Sequence, residues 1–380
     1  MSLHLESKPR LDSLTSLRFF AALAIFFLHS AEHNLFESDI LEIFDFSKAV
    51  TFFFVLSGFV LTYAYSGNSF DLFRFYSKRF LRVWPSTLVS LFFVLLILPP
   101  ALYLPSANGT FHYGPVFVSH LLLIHSLIPI PDFFFGFNAV SWSVSVEAFF
   151  YMLFPFFRRL HFVHLLRTIS LLSFFLILLS FMFLPLGIPA FSANDLSNIV
   201  WNGFVYISPL FRLPEFLIGI CCYILYSEQL ILFPGIKSLL IPHSTSLKLL
   251  RHVSEIFLFF LFLFLGFSFH LRFLPLPSQL LFDQIYSAIF FSFAIIILLF
   301  SRGFLSFVLE SRVLVYLGEI SFGLYLYHQP LLIRAAQYNG LMFKNIQLLP
   351  NSLPLLLLYS IILAALNHKY VEKFAFSAGK

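Results

Sequence analysis

Charge is the scarcest property of this sequence. Of its 380 residues, 11% are Asp, Glu, Lys or Arg and 59% are hydrophobic, whereas a soluble domain is roughly 25% charged and 45–50% apolar. So few charges cannot cover a water-facing surface, which excludes a cytosolic enzyme and a disordered chain. Cysteine is almost absent: Cys221 and Cys222 are adjacent, lie within an apolar run and form no CxxC spacing. A secreted disulfide scaffold and a cysteine zinc site are thereby excluded. Glycine is scarce at 15 residues, while Phe alone supplies 57. The net charge is +5, yet no basic run or stripe exists, so nucleic acid is excluded as a partner.

What is present is a series of apolar runs: 14–30, 48–66, 83–104, 116–130, 141–157, 167–186, 212–232, 253–270, 284–301, 313–334 and 352–368. A helical span needs about 20 apolar residues, and the weakest run is 116–130, interrupted by His120 and His125 and followed by Pro131. Cytoplasmic loops collect Lys and Arg. If 116–130 does not cross and the N-terminus is cytoplasmic, 18 Lys/Arg fall inside and 5 outside; if it crosses, the counts become 11 and 12. The sequence therefore predicts an all-α polytopic membrane protein. It has ten transmembrane helices, both termini cytoplasmic, and a re-entrant segment near 116–130. Arg18 and the lack of a small-x-small cleavage site mark the first run as a retained span, and the expected location is the cell (inner) membrane. The acidic loop 31–47 reads as outside, and 233–252 as a cytoplasmic interfacial segment. No internal repeat or soluble appendage is visible, so residues 1–380 read as one membrane-embedded domain, with its core at about 12–375.

Ionisable residues inside spans are costly and mark function. Arg18 and His29 stand at opposite ends of the first span, about 16 Å apart along a helix axis. Arg79 and Arg82 share one helical face beside Lys78, a pair suited to bidentate phosphate binding. Glu147 has no ion partner in its own helix and needs one from elsewhere. His328 lies in the outer half of its span, and Glu319 and Glu215 are expected to pair locally, the latter with Arg212. A snorkelling Arg18, a stop-transfer cluster at 78–82 and a structural His328 stand as alternatives. On the charge-derived topology, His29, Glu147 and His328 fall in the outer half while Arg79 and Arg82 lie at the inner face. That layout suits a site taking an anionic, phosphate-bearing donor from the cytoplasm and acting on something outside. A transporter or flippase with intramembrane charges is the rival class, although inverted repeats are not evident.

The segments LTSLRFFAALAIFFLHS, FFFVLSGFVLTY, KRFLRVWP, SWSVSVEAFFYMLFP, RLPEFLIG, LGEISFGLYLYHQP and KYVEKF, in this order, resemble the acyltransferase 3 family of integral-membrane O-acyltransferases. They match its Arg-x10-His opening at Arg18 and His29, its Ser-Gly-Phe at 57–59, and its Arg-x-x-Arg at Arg79 and Arg82. Thr15 and Ser16 depart from a commoner Asp-Gly, and Lys373 from a proline after Glu372. The resemblance implies transfer of an acyl group, commonly acetyl, from cytoplasmic acyl-CoA to a hydroxyl of an extracytoplasmic glycan or glycolipid. Acyl-CoA is then a donor substrate, with no resident cofactor and no metal. Neutral imidazole at His29 is the natural base, Arg18, Arg79 and Arg82 hold the donor, and Glu147 and His328 are supporting members of the catalytic set.

Overall fold

A computed structural model of the chain describes residues 10–37, 39, 43–67, 70–103, 113–183, 185–190, 198–232, 245–268, 270, 274–301, 303–338, 342–343, 346–347 and 352–378. Most of the 233–252 segment lies outside the described residues. The elements that frame the site are α1 (Asp12–Glu32), α2 (Ala49–Tyr65), α3 (Leu72–Ile97), α4 (Tyr113–Leu121), α5 (Trp142–Phe157) and α6 (Phe162–Phe181). They are followed by α7 (Pro209–Leu232), α8 (Thr245–Ser268), α9 (Leu276–Ser301), α10 (Arg312–Tyr338) and α11 (Leu353–Asn367). Eight of the described helical segments are long and apolar enough to cross a membrane, and they contain α1, α2, α3, α5, α6, α7, α9 and α11. Helices α8 and α10, of 24 and 27 residues, complete a set of ten long helices among the described residues. The polar Glu319, His328 and Gln329 lower the hydropathy of α10. The protein is an all-α polytopic membrane protein.

The segment read as re-entrant is broken into short pieces. Helix α4 has nine residues, and three-residue and four-residue turns follow at His125–Leu127, Pro131–Phe134 and Ala139–Ser141. Nine residues rise about 13 Å, far less than a hydrocarbon core. Val116, His120, His125, Ser126, Asp132 and Asn138 are buried, which is where non-helical backbone at membrane depth must lie. Helix direction gives a second, charge-free argument. A Cβ on Gly318 would meet the carbonyl oxygen of Thr15 at 2.0 Å, and His328 meets His29 further along both helices, so α1 and α10 run parallel. Among the described residues seven long helices separate them. If each crosses, an eighth crossing at 116–130 would make α1 and α10 antiparallel.

Two glycines set a second close helix contact. A Cβ on Gly58 would lie 2.1 Å from the Phe216 carbonyl oxygen, and one on Gly219 would lie 2.0 Å from that of Val55. Helices α2 and α7 thus touch backbone to backbone, as small residues permit in membranes. Phe59 packs against Tyr223 beyond this crossing. Overpacking of this kind costs about 1–3 kcal/mol. Gly219→Val is expected to lower the thermal midpoint of the purified protein, while Gly114→Ala, with nothing within 4 Å of its Cβ, leaves it unchanged. Equal midpoints for both variants would contradict the close approach.

Candidate active site

Helices α1, α2, α3, α5 and α10 enclose a cavity with about 850 Å³ of empty volume, its open side included. Three guanidiniums line it: Arg18 from α1, and Arg79 and Arg82 from α3. Asp71 starts α3 by accepting the Arg74 backbone N–H at 3.0 Å. The helix therefore begins well before the apolar run at 83 and carries Arg79 and Arg82 on its first turns. Arg79 donates to the Tyr65 hydroxyl at 3.4 Å and lies over the Tyr65 and Tyr151 rings, 5.5 and 5.8 Å from their centroids. Arg82 pairs with Glu372 at 2.7 Å. That carboxylate comes from a π-helical turn, His368–Glu372, which follows α11. It also accepts from Asn367 at 3.2 Å and lies 3.2 Å from His368 Nδ1. Such π-turns recur at functional sites.

Glu147 faces the same cavity. Its Oε1 accepts from Ser57 Oγ at 3.1 Å and from the Tyr151 hydroxyl, and no ion pair holds it among the described residues. With Glu372 engaged by Arg82, two guanidiniums and one carboxylate remain, and the cavity is net positive.

The histidines form a separate unit. His29 Nδ1 lies 2.8 Å from His328 Nε2, with the two rings 10° from parallel. His328 Nδ1 is 3.1 Å from the Leu324 carbonyl oxygen, which only accepts. Hydrogen-bond partners assign the tautomers. His328 donates from Nδ1 and keeps a lone pair on Nε2, so His29 donates from Nδ1 to that lone pair. His29 Nε2 is left unprotonated, 3.9 Å from Glu32 Oε2. His328 is fully buried, and its ring centroid is 5.9 Å from that of Tyr325. Tyr325 also lines the arginine cavity, where its hydroxyl accepts from Ser143 Oγ at 2.8 Å. One tyrosine is thus the wall shared by the two units.

Of the residues expected from sequence, Arg18, Arg79 and Arg82 come together in the cavity, and His29 and His328 come together beside it. Glu147 is a correction: it joins the arginines and not the histidines. The chain is already inside the protein when α5 begins, with Asn138, Ser141 and Trp142 buried, so position 147 falls deeper than a helix starting at the surface would place it. Glu319 is a second correction, pairing with Arg10 at 2.5 Å instead of locally. Glu215 does pair with Arg212, at 3.2 Å. Sequence reasoning gives no site role to Tyr65, Tyr151 and Tyr325, nor to Ser57 and Glu372, which it notes only as parts of the resemblance. The i,i+4 spacing of Glu147 and Tyr151 was a usable signal.

The family model Acyl_transf_3, an acyltransferase domain, matches residues 11–366. The chain belongs to the acyltransferase 3 family. It is 40% identical over 158 residues to the acyltransferase MdmB of Streptomyces mycarofaciens, a match covering 40% of each chain. It is 25% identical over 325 residues to ORF330 of Acidianus two-tailed virus, whose acetyltransferase name is provisional; that match covers 83% of this chain and 81% of the viral one. An uncharacterized Haemophilus influenzae protein is 28% identical over 185 residues, 44% of this chain and 70% of that protein. No solved structure matches. Membership sets the class as membrane-embedded acyltransferase. Of the residues that carried the resemblance, Arg18, Ser57, Arg79, Arg82 and Glu147 line the cavity and His29 and His328 form the histidine pair.

Proposed function

We propose that this acyltransferase moves an acyl group, acetyl in the simplest case, from cytoplasmic acyl-CoA to a hydroxyl of an extracytoplasmic glycan or glycolipid. The observation that carries the reading is a net-positive cavity sharing the Tyr325 wall with a histidine whose Nε2 is free to accept a proton. With both termini cytoplasmic, the arginines face the side on which acyl-CoA resides, and His29 faces the acceptor. Three guanidiniums suit an anionic donor, since their planar forks bind phosphate bidentately. The thioester arm then extends along Tyr325 toward His29. His29 Nε2 takes the acceptor hydroxyl proton as that oxygen attacks the thioester carbonyl. The tetrahedral adduct collapses by breaking the C–S bond, and the thiolate takes the proton from the imidazolium. An ester and free CoA thiol result, and His29 returns to its starting tautomer. No group outside the chain and the two substrates is needed for this balance.

The test is thiol release from acetyl-CoA by the purified protein, together with mass spectrometry of surface glycans from cells with and without the gene. Identical glycan masses and no acceptor-dependent thiol release would overturn the reading. On the donor side, Arg79→Ala is expected to raise the donor KM about tenfold, the worth of one charge-assisted hydrogen bond, with less effect on acceptor KM. Arg79→Lys should recover little, because an ammonium lacks the fork. An unchanged donor KM in Arg79→Ala would remove that residue from the donor site.

A further inference from the structure

A second pocket, with about 600 Å³ of empty volume, opens where α2 ends and the chain turns from α5 into α6. Tyr65, Arg158, Arg159, His161, Tyr223 and Glu228 are among its lining residues. Arg158 is built in: it donates to the carbonyl oxygens of Tyr65 at 3.0 Å and Gly67 at 3.1 Å. Its guanidinium lies 4.2 Å from the centroid of the Phe70 ring. Its Nε is buried with no partner. Arg159 is exposed and makes no hydrogen bond or ion pair among the described residues. Burial and the adjacent Arg159 charge hold the Arg158 pKa below its ordinary value, and an anion bound between them would relieve that repulsion.

This pocket is joined to the first cavity by one residue. Tyr65 lines the second pocket and receives the hydrogen bond from Arg79, which lines the first. Ser57, in the first cavity, and Tyr65 are eight residues apart on α2, about 12 Å along the axis. Four guanidiniums, those of Arg82, Arg79, Arg158 and Arg159, therefore lead from the cavity that holds Glu147 and Tyr151 to the end of the helix bundle. Coenzyme A has matching chemistry. It carries a pyrophosphate where the pantetheine arm meets the nucleoside, and a further phosphate on the ribose. We propose that the second pocket binds the phosphorylated adenosine end of the thioester donor, leaving the arm and acyl group to the first cavity. The inference rests on the acyl-CoA reading above and adds the nucleotide subsite to it. The rings of Tyr223 and His161 offer stacking surfaces for a base, and Glu228 accepts a hydrogen bond from the one free ribose hydroxyl or the adenine amine. A phospholipid headgroup has the same phosphate chemistry and is the competing occupant.

Binding to purified protein in nanodiscs of zwitterionic lipid alone separates these cases, with coenzyme A, 3′-dephospho-coenzyme A and pantetheine as calorimetric probes. Arg159→Ala is expected to weaken coenzyme A about tenfold and Arg159→Glu further, with pantetheine binding unchanged in both. Because Arg159 is exposed, retained pantetheine binding also reports an intact fold. Equal weakening of pantetheine and coenzyme A, or no change in either, overturns the subsite. So does a series in which Arg159→Ala releases anionic lipid from mixed-lipid discs while coenzyme A affinity stays the same, which would mark a headgroup site. A wild-type protein that binds neither coenzyme A nor pantetheine overturns the donor reading itself, and the subsite with it.

Discussion

His29→Gln is expected to lose acyl transfer by 10²–10⁴-fold, the usual contribution of a general base, in a protein that still inserts and folds. Glutamine can donate to His328 Nε2 as His29 does at 2.8 Å, so it preserves the packing and removes only the atom that takes the proton. The partner residue makes the argument sharper. His328→Leu leaves the His29 Nδ1–H without its acceptor, and the imidazole is then free to place its proton on either nitrogen. A kcat loss of about tenfold or more follows, with donor KM unmoved because the arginines are untouched. His328→Gln supplies an amide oxygen in the acceptor's place and should recover part of that loss. Activity in His29→Gln within threefold of wild type, at equal membrane abundance, would rule out the imidazole as base. Attention would then pass to Glu147, the remaining carboxylate at the cavity.

The second large effect concerns Glu372. Its side chain is 1% exposed and that of Arg82 is 19% exposed, so the pair is largely withdrawn from water. Removing one member of such a pair leaves an uncompensated charge and costs about 3–5 kcal/mol. Glu372→Ala should therefore cut thermal stability sharply and also raise donor KM, since Arg82 loses the carboxylate that fixes its fork. Replacing both residues by apolar ones of similar size, Arg82→Met with Glu372→Leu, should restore much of the stability and none of the donor affinity. The double variant separates the two roles of the pair. If Glu372→Ala matches wild type in both melting and donor KM, the pair contributes to neither.

The break at 116–130 was legible because membrane topology is a global constraint, and misplacing one crossing reverses the side of every later Lys and Arg. The arginine group was legible too, since Arg79 and Arg82 are three residues apart on one helix and Arg18 opens a run that needs no charge. Depth was not. Hydropathy shows that 141–157 is apolar, but it does not show that the preceding turns carry the chain into the protein before α5 begins, and Glu147 was assigned to the wrong neighbours. Long-range partners were equally hidden. Glu319 finds Arg10 across 309 positions and Arg82 finds Glu372 across 290, and no local spacing encodes either pairing.

The parallel contact of α1 with α10 has a consequence for biosynthesis. His29 and its partner are 299 residues apart, and chains grow at about 5–20 residues per second. The first helix therefore waits some 15–60 s on the ribosome's clock before the helix that completes its histidine pair is made. Throughout that interval the nascent protein holds an imidazole with an unassigned tautomer and an arginine, Arg18, whose cavity still lacks the α10 wall. The site is completed late, because His328, which accepts the His29 hydrogen bond, and Tyr325, which walls the arginine cavity, arrive on the same helix.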